Sequence, residues 1–371
     1  MPEPNNPFLL QGYRGADTFC DRRAELAFLR EAMHNERNVT IISLRRLGKS
    51  ALIRHLFASQ RGCIPVFVDL YRTTDQAGMV ARIVAESLKQ VGKPTRALLK
   101  EVVQAIRSLE FGLSFDALTG LPELTVKARA GQRDAVALDE LFRYLDARKK
   151  PVWIALDEFQ QVTHYPERDT EALLREHVQR LSNVRFIFSG SDRRMMQAIF
   201  ADGKRPFFQA AEPLHLGPIP DKEYAAFIKK HFQAVGKRID DAVIDQGLAW
   251  CRTHTYYVQY LFNRLFALGQ RRCDLTDLHH AQEAILAERA PEYITFTRLL
   301  TANQVALATA IARTGTVWEP LAMSFIREHK LSAASTVRQS LGVLLHKEVV
   351  HETDEGYRLT DVFFGHWLAQ A

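Results

Sequence analysis

Short β-branched runs alternate with helix-period stretches over the first 150 or so residues, a pattern that yields parallel strands joined by helices. Residues 38–44 (NVTIISL) form the first apolar run, and 49–59 follow at helical period. A second strand is predicted at 64–70 (IPVFVDL), then amphipathic helices over 76–91 and 95–109. Residues 111–128 alternate on either side of Thr-Gly and Leu-Pro, which predicts a hairpin inserted into the alternating pattern. After a helix at 135–150, the runs 151–156 (PVWIAL) and 184–189 (VRFIFS) are almost continuously apolar, as in strands covered on both faces. A shorter strand is expected at 213–216.

From 221 to 290 the strands stop, and four helical segments follow with breaks near Gly236, 251–253 and 271–275. This predicts a helical lid or second domain. The last segment offers helices, a turn at 331–334, a helix over 334–346, and two strands over 349–359 around Asp354-Glu-Gly, which outline a winged helix. The expected organisation is an α/β core at 1–220, a helical lid at 221–290 and a winged helix at 291–371.

At 371 residues, 47% of them hydrophobic and 25% charged, the chain can bury a full core, which excludes a disordered protein. No run reaches the ~18 apolar residues of a membrane span, and the first residues lack the order of a signal peptide, so no membrane partner and a cytoplasmic location are expected. Cys20, Cys63, Cys251 and Cys273 are too scattered to hold zinc or form a redox pair. The net charge of +6 hints at phosphate. Residues 291–371 carry seven Lys/Arg against eight Asp/Glu, so the basic excess lies before them.

Ser43-Leu-Arg45-Arg46-Leu47-Gly48-Lys49-Ser50 falls between a buried strand and a helix. There, successive backbone N–H groups and the helix N-terminus, which also takes in Ala51, can cradle phosphate, with Lys49 on the terminal phosphates and Ser50 on magnesium. Ser43 stands where the usual pattern opens with glycine. The alternative is a plain strand-to-helix turn with a surface lysine.

Trp153-Ile-Ala-Leu-Asp157-Glu158 ends an apolar strand in two carboxylates, suited to Asp157 on the metal's water shell and Glu158 polarising the attacking water. A third strand ends in Ser191-Asp192, and Ser191 or Asp192 could meet the terminal phosphate or the water. Ser and Asp are also favoured helix caps. Asp69, at the end of the second strand, has a metal-shell reading and a solvated one.

These three motifs resemble the archaeal-type, AAA-like P-loop ATPases, relatives of the signal-transducing ATPases with numerous domains. Further resemblance lies in Phe19-Cys-Asp-Arg22-Arg-Ala-Glu25-Leu26, in the double arginine Arg45-Arg46, in Arg205-Pro-Phe-Phe-Gln with 213–218 (PLHLGP), in Thr253-His254-Thr-Tyr256-Tyr257, and in the closing segment 356–367, and so runs from about 17 to 368. The resemblance implies an α/β P-loop ATPase sheet with helical lid and winged helix and ATP with Mg2+ as cofactors; degenerate lid and finger signatures predict slow hydrolysis. It places Arg22 and His254 near the nucleotide, though the lid motif here lacks both glycines and the proline. Arg193, Arg194 and Arg205 are arginine-finger candidates for a neighbouring copy in a homo-oligomer.

Two roles follow: a nucleotide-dependent switch acting on an unidentified protein partner, or a DNA-binding ATPase of the replication-initiator or mobile-element type. Ser335, Thr336, Arg338 and Gln339 on the 334–346 helix suit double-stranded DNA. Acid at 352–355, at the wing tip, repels it and favours the switch.

Overall fold

The computed structural model describes residues 6–91, 109–115, 122–128, 134–268 and 271–370. They divide into two compact units, residues 11–219 and residues 220–370 together with 6–10.

The first unit is built on five parallel strands, β1 (Val39–Ile42), β2 (Ile64–Asp69), β5 (Val152–Asp157), β6 (Val184–Ser189) and β7 (Glu212–His215), in the order β2-β5-β6-β1-β7. Every residue of β1, β5 and β6 is buried, which explains their largely apolar character. Side chains alternate between faces. Ile154, Leu156, Phe186 and Phe188 meet α3 (Gln76–Val91), α4 (Asp134–Asp146), α5 (Thr170–Arg180) and α6 (Arg193–Ala201). Trp153, Ala155 and Ile187 meet α1 (Arg23–His34) and α2 (Lys49–Ser59). Each fully buried large apolar side chain contributes about 1.5–3 kcal/mol.

The expected hairpin is present as an antiparallel pair, β3 (Leu109–Phe115) with β4 (Pro122–Ala128), beside α3. The helix expected at 95–109 lies almost wholly outside the described residues, and its last position, Leu109, opens β3.

The second unit contains α7 (Asp221–Ala234), α8 (Asp241–Trp250), α9 (Thr255–Ala267) and α10 (Leu275–Thr297). Strands do not stop altogether there, because β8 (Arg238–Ile239) and β9 (Arg272–Cys273) pair in parallel. The expected boundary at 290/291 falls inside α10, which runs on through Pro291. Phe8 fills a pocket among Phe227, Phe232, Phe262 and Phe266, while Asn263 and Asn6 exchange hydrogen bonds with the backbone of the 6–8 segment and of α9.

The winged helix comprises α11 (Ala302–Thr314), α12 (Met323–Glu328), α13 (Ala334–His346), the antiparallel strands β10 (Val350–Thr353) and β11 (Gly356–Leu359), and α14 (Val362–Gln370). Val317 adds a bridge to Tyr357. It shares a core with the preceding helices. The rings of Trp250 and His366 stack at 4.8 Å, His366 Nε2 donates to the Trp250 carbonyl at 2.8 Å, and Tyr257 packs on Phe363. Among the described residues no helix is long and apolar enough to cross a membrane.

Candidate functional site

The loop between β1 and α2 turns through two left-handed residues, Arg46 (φ 62°) and Gly48 (φ 95°). Gly48 sits at the helix N-cap, where lacking a Cβ removes the usual steric cost. Lys49 is buried, and its ammonium curls back across the loop to donate to Ser43 Oγ at 3.0 Å and to the Leu44 carbonyl at 3.1 Å. Ser43 is therefore more than a tolerated replacement for glycine, since its hydroxyl accepts from the lysine. Arg22, itself left-handed (φ 64°) and buried, donates to the Leu47 carbonyl at 3.2 Å and to Glu25 Oε1 at 2.8 Å. It braces the loop from behind. Leu47 is buried, whereas Arg45 and Arg46 are exposed and Ala51 is half-buried.

The loop is tied to the neighbouring strand ends through one carboxylate. Ser50 Oγ donates to Asp157 Oδ2 at 2.5 Å, and Ser189 Oγ, from the end of β6, donates to Asp157 Oδ1 at 2.6 Å. Burial pushes the Asp157 carboxyl above the usual carboxylate range; the two hydroxyl donors oppose that, and the nearby Glu158 and Asp69 carboxylates add to it. Asp69 pairs in register with Asp157 across β2 and β5, is exposed, and accepts from the Tyr71 amide. A serine hydroxyl and crowded carboxylates are hard oxygen donors that a divalent cation would neutralise. Among the described residues no three or more His, Cys, Asp or Glu side chains form a metal cage. Such a donor set fits magnesium, which keeps several waters and takes phosphate oxygens as ligands.

Glu158 has left-handed backbone (φ 56°), and its Oε2 accepts from Ser191 Oγ at 2.6 Å and from Gln160 Nε2 at 2.5 Å. Asp192 caps α6 by accepting from the Met195 amide at 2.8 Å.

The fold built around these residues has known relatives. It matches the Walker-type ATPase PABY2304 of Pyrococcus abyssi with a TM-score of 0.67 at 17% identity, over 98% of this chain and 99% of that one. The ORC2 protein of Aeropyrum pernix, solved as ADPNP–ADP complexes, matches at 0.59 and 13% identity, over 99% and 96%. The ORC1 protein of the same organism, solved in complex with DNA, gives 0.52 and 13%, again over 99% and 96%. The fold is that of the P-loop ATPases. Residues 291–370 match the family described as "Probable winged helix domain". No curated protein matches the chain.

Within that fold the structure gathers Ser43, Lys49, Ser50, Asp157, Glu158 and Ser191 on one sheet edge. Of the finger candidates, Arg193 and Arg194 are exposed in the first turn of α6, while Arg205 is held by both carboxylate oxygens of Glu171. His254 belongs to the other unit, where it precedes α9 and packs on the Tyr257 ring. Two site residues escape the sequence reading, Ser189 and Gln160. Ser189 was legible as the polar residue closing the apolar run 186–188; Gln160 offers no such signal, because a glutamine three positions past a strand reads as loop.

Proposed function

We propose that this chain is an ATP-binding, slowly hydrolysing ATPase that acts as a nucleotide-dependent switch on a protein partner. The observation that carries the reading is the chain of contacts from the loop to two strand ends: Lys49 across the loop, and Ser50 and Ser189 on one buried carboxylate, Asp157. Lys49 and the 43–51 backbone would hold the phosphates, with Arg22 steadying the loop. Ser50 and Asp157 would hold Mg2+, which supplies charge neutralisation between the terminal phosphates. Glu158 takes the proton of a water whose oxygen bonds to the terminal phosphorus as the bond to ADP breaks. Ser191 orients Glu158.

In this reading residues 11–219 are the ATPase core, the helices from 221 to about 297 are the lid, and the rest of the second unit is the winged helix. His254 is a lid residue, and Arg193 and Arg194 are the fingers open to a second copy in a homo-oligomer. Arg205, paired with Glu171, serves the core instead. The location is cytoplasmic.

A protein partner is favoured over DNA by the wing. Glu352, Asp354 and Glu355 are exposed, and Arg358 pairs with Glu355. The second reading, duplex DNA, draws on the exposed Ser335, Arg338 and Gln339 of α13 and on the DNA complex of the similar ORC1 protein.

Nucleotide titration and phosphate release test the proposal. Lys49→Ala is expected to abolish ATP binding, and Glu158→Gln to keep binding and lose turnover. Undiminished hydrolysis in both sinks the site. Duplex affinity at two salt concentrations tests the second reading, since no binding at low salt removes it.

A further inference from the structure

Gln160 stands in the 3-10 turn after β5, only 7% exposed. Its amide nitrogen donates to Glu158 Oε2 at 2.5 Å and lies 3.4 Å from Ser191 Oγ. Its amide oxygen has no hydrogen-bond partner among the described residues. A buried polar atom left without a partner lowers stability, so an apolar side chain of similar volume would serve the fold better at this position. The oxygen is also walled in. A Cβ added to Gly190 would lie 2.2 Å from Gln160 Oε1 and 2.6 Å from Met196 Sδ, so the amide occupies space that a side chain just past β6 would take.

What the arrangement achieves is control of one carboxylate. Glu158 is in left-handed backbone, a conformation that non-glycine residues keep only where their surroundings hold them. Ser191 and Gln160 both donate to the same oxygen, Oε2. That fixes the carboxylate's rotation and leaves Oε1 as the oxygen to face a water. We propose that Gln160, seated against Gly190, is a positioning residue that holds the Glu158 carboxylate oriented for hydrolysis. It acts through Glu158 and touches no phosphate. This rests on the reading of Glu158 as the base.

The test is steady-state ATP hydrolysis by the full chain, with Gln160→Met beside Glu158→Gln. Methionine keeps the volume, removes the donor and removes the unpaired oxygen. Gln160→Met is expected to lower kcat at least tenfold with KM for ATP within twofold, and to leave Tm no lower. Gln160→Glu, which turns a donor into an acceptor beside Glu158, should lower kcat at least as far with KM likewise held, and serves if the methionine variant does not fold. An unchanged kcat overturns the proposal, as does a fall in kcat with raised KM. If Glu158→Gln itself still hydrolyses ATP, the parent reading fails; if it is inactive while Gln160→Met matches the unaltered chain, only the positioning role falls.

Discussion

Asp157 shows what a single buried carboxylate does to both stability and chemistry. Its pKa is raised in the folded chain, so the folded state binds its proton more readily than the unfolded state does. Stability from this group is therefore lost as pH rises from the ordinary value of 3.8 through the folded one. At neutral pH the ionised carboxylate is a strain that Mg2+ would relieve. Asp157→Asn is expected to raise Tm in metal-free buffer, by roughly 2–4 °C for each kcal/mol recovered, while abolishing Mg2+-dependent hydrolysis; scanning calorimetry and phosphate release measure the two. Arg22 carries a different expectation. Arg22→Met removes the donor to the Leu47 carbonyl and should weaken ATP binding about tenfold with little loss of the sheet, as read by nucleotide titration.

At the scale of elements, glycine placement decides whether the wing forms. Gly356 has φ 118°, and a Cβ there would come within 2.5 Å of the Val317 carbonyl. Gly356→Ala should destabilise the β10–β11 ladder by about 1–3 kcal/mol, visible as faster amide exchange at Val317 and Tyr357, which hydrogen-bond each other. The α8–α14 joint responds to acid. Burial lowers the His366 pKa below 6.5, with the neighbouring Arg252 adding to it and the Trp250 carbonyl opposing it. The unfolded chain then takes up a proton that the folded chain refuses, and stability falls as pH drops below 6.5. His366→Gln keeps a donor for that carbonyl and should lose less stability between pH 7.5 and 5.5 in denaturant titrations.

Elements differ in how well the sequence announces them. Strands β1, β5 and β6 were legible because a strand buried on both faces is mostly apolar, and the phosphate-cradling loop because Gly48-Lys49-Ser50 follows one of them. Strands β8 and β9 were not, because two residues are too few to show a period. Pro291 reads as a helix stop, yet α10 already has enough turns on either side to carry one missing hydrogen bond. In the site, Ser191 and Glu158 were each legible and their pairing was not, since nothing in the spacing says that a serine from one strand end will donate to a glutamate from another.

For the whole molecule, charge distribution outweighs net charge. The chain carries +6, yet the wing displays Glu352, Asp354 and Glu355 where a DNA reader would meet phosphates. Replacing Asp354 and Glu355 together by lysine should create or strengthen duplex binding. The plot of log affinity against log salt should steepen by about 0.9 for each additional phosphate that the lysines neutralise. An unchanged affinity would mean that the wing never approaches the duplex.

The seat of Phe8 among Phe227, Phe232, Phe262 and Phe266 also sets an order of events during synthesis. The 6–10 segment belongs with α7 and α9, which are made only after residues 11–219, the whole of the other unit. At roughly 5–20 residues per second, its partners arrive about ten seconds to a minute later. Through that interval the nascent chain carries an exposed phenylalanine that nothing yet made is shaped to receive, a natural handle for a chaperone.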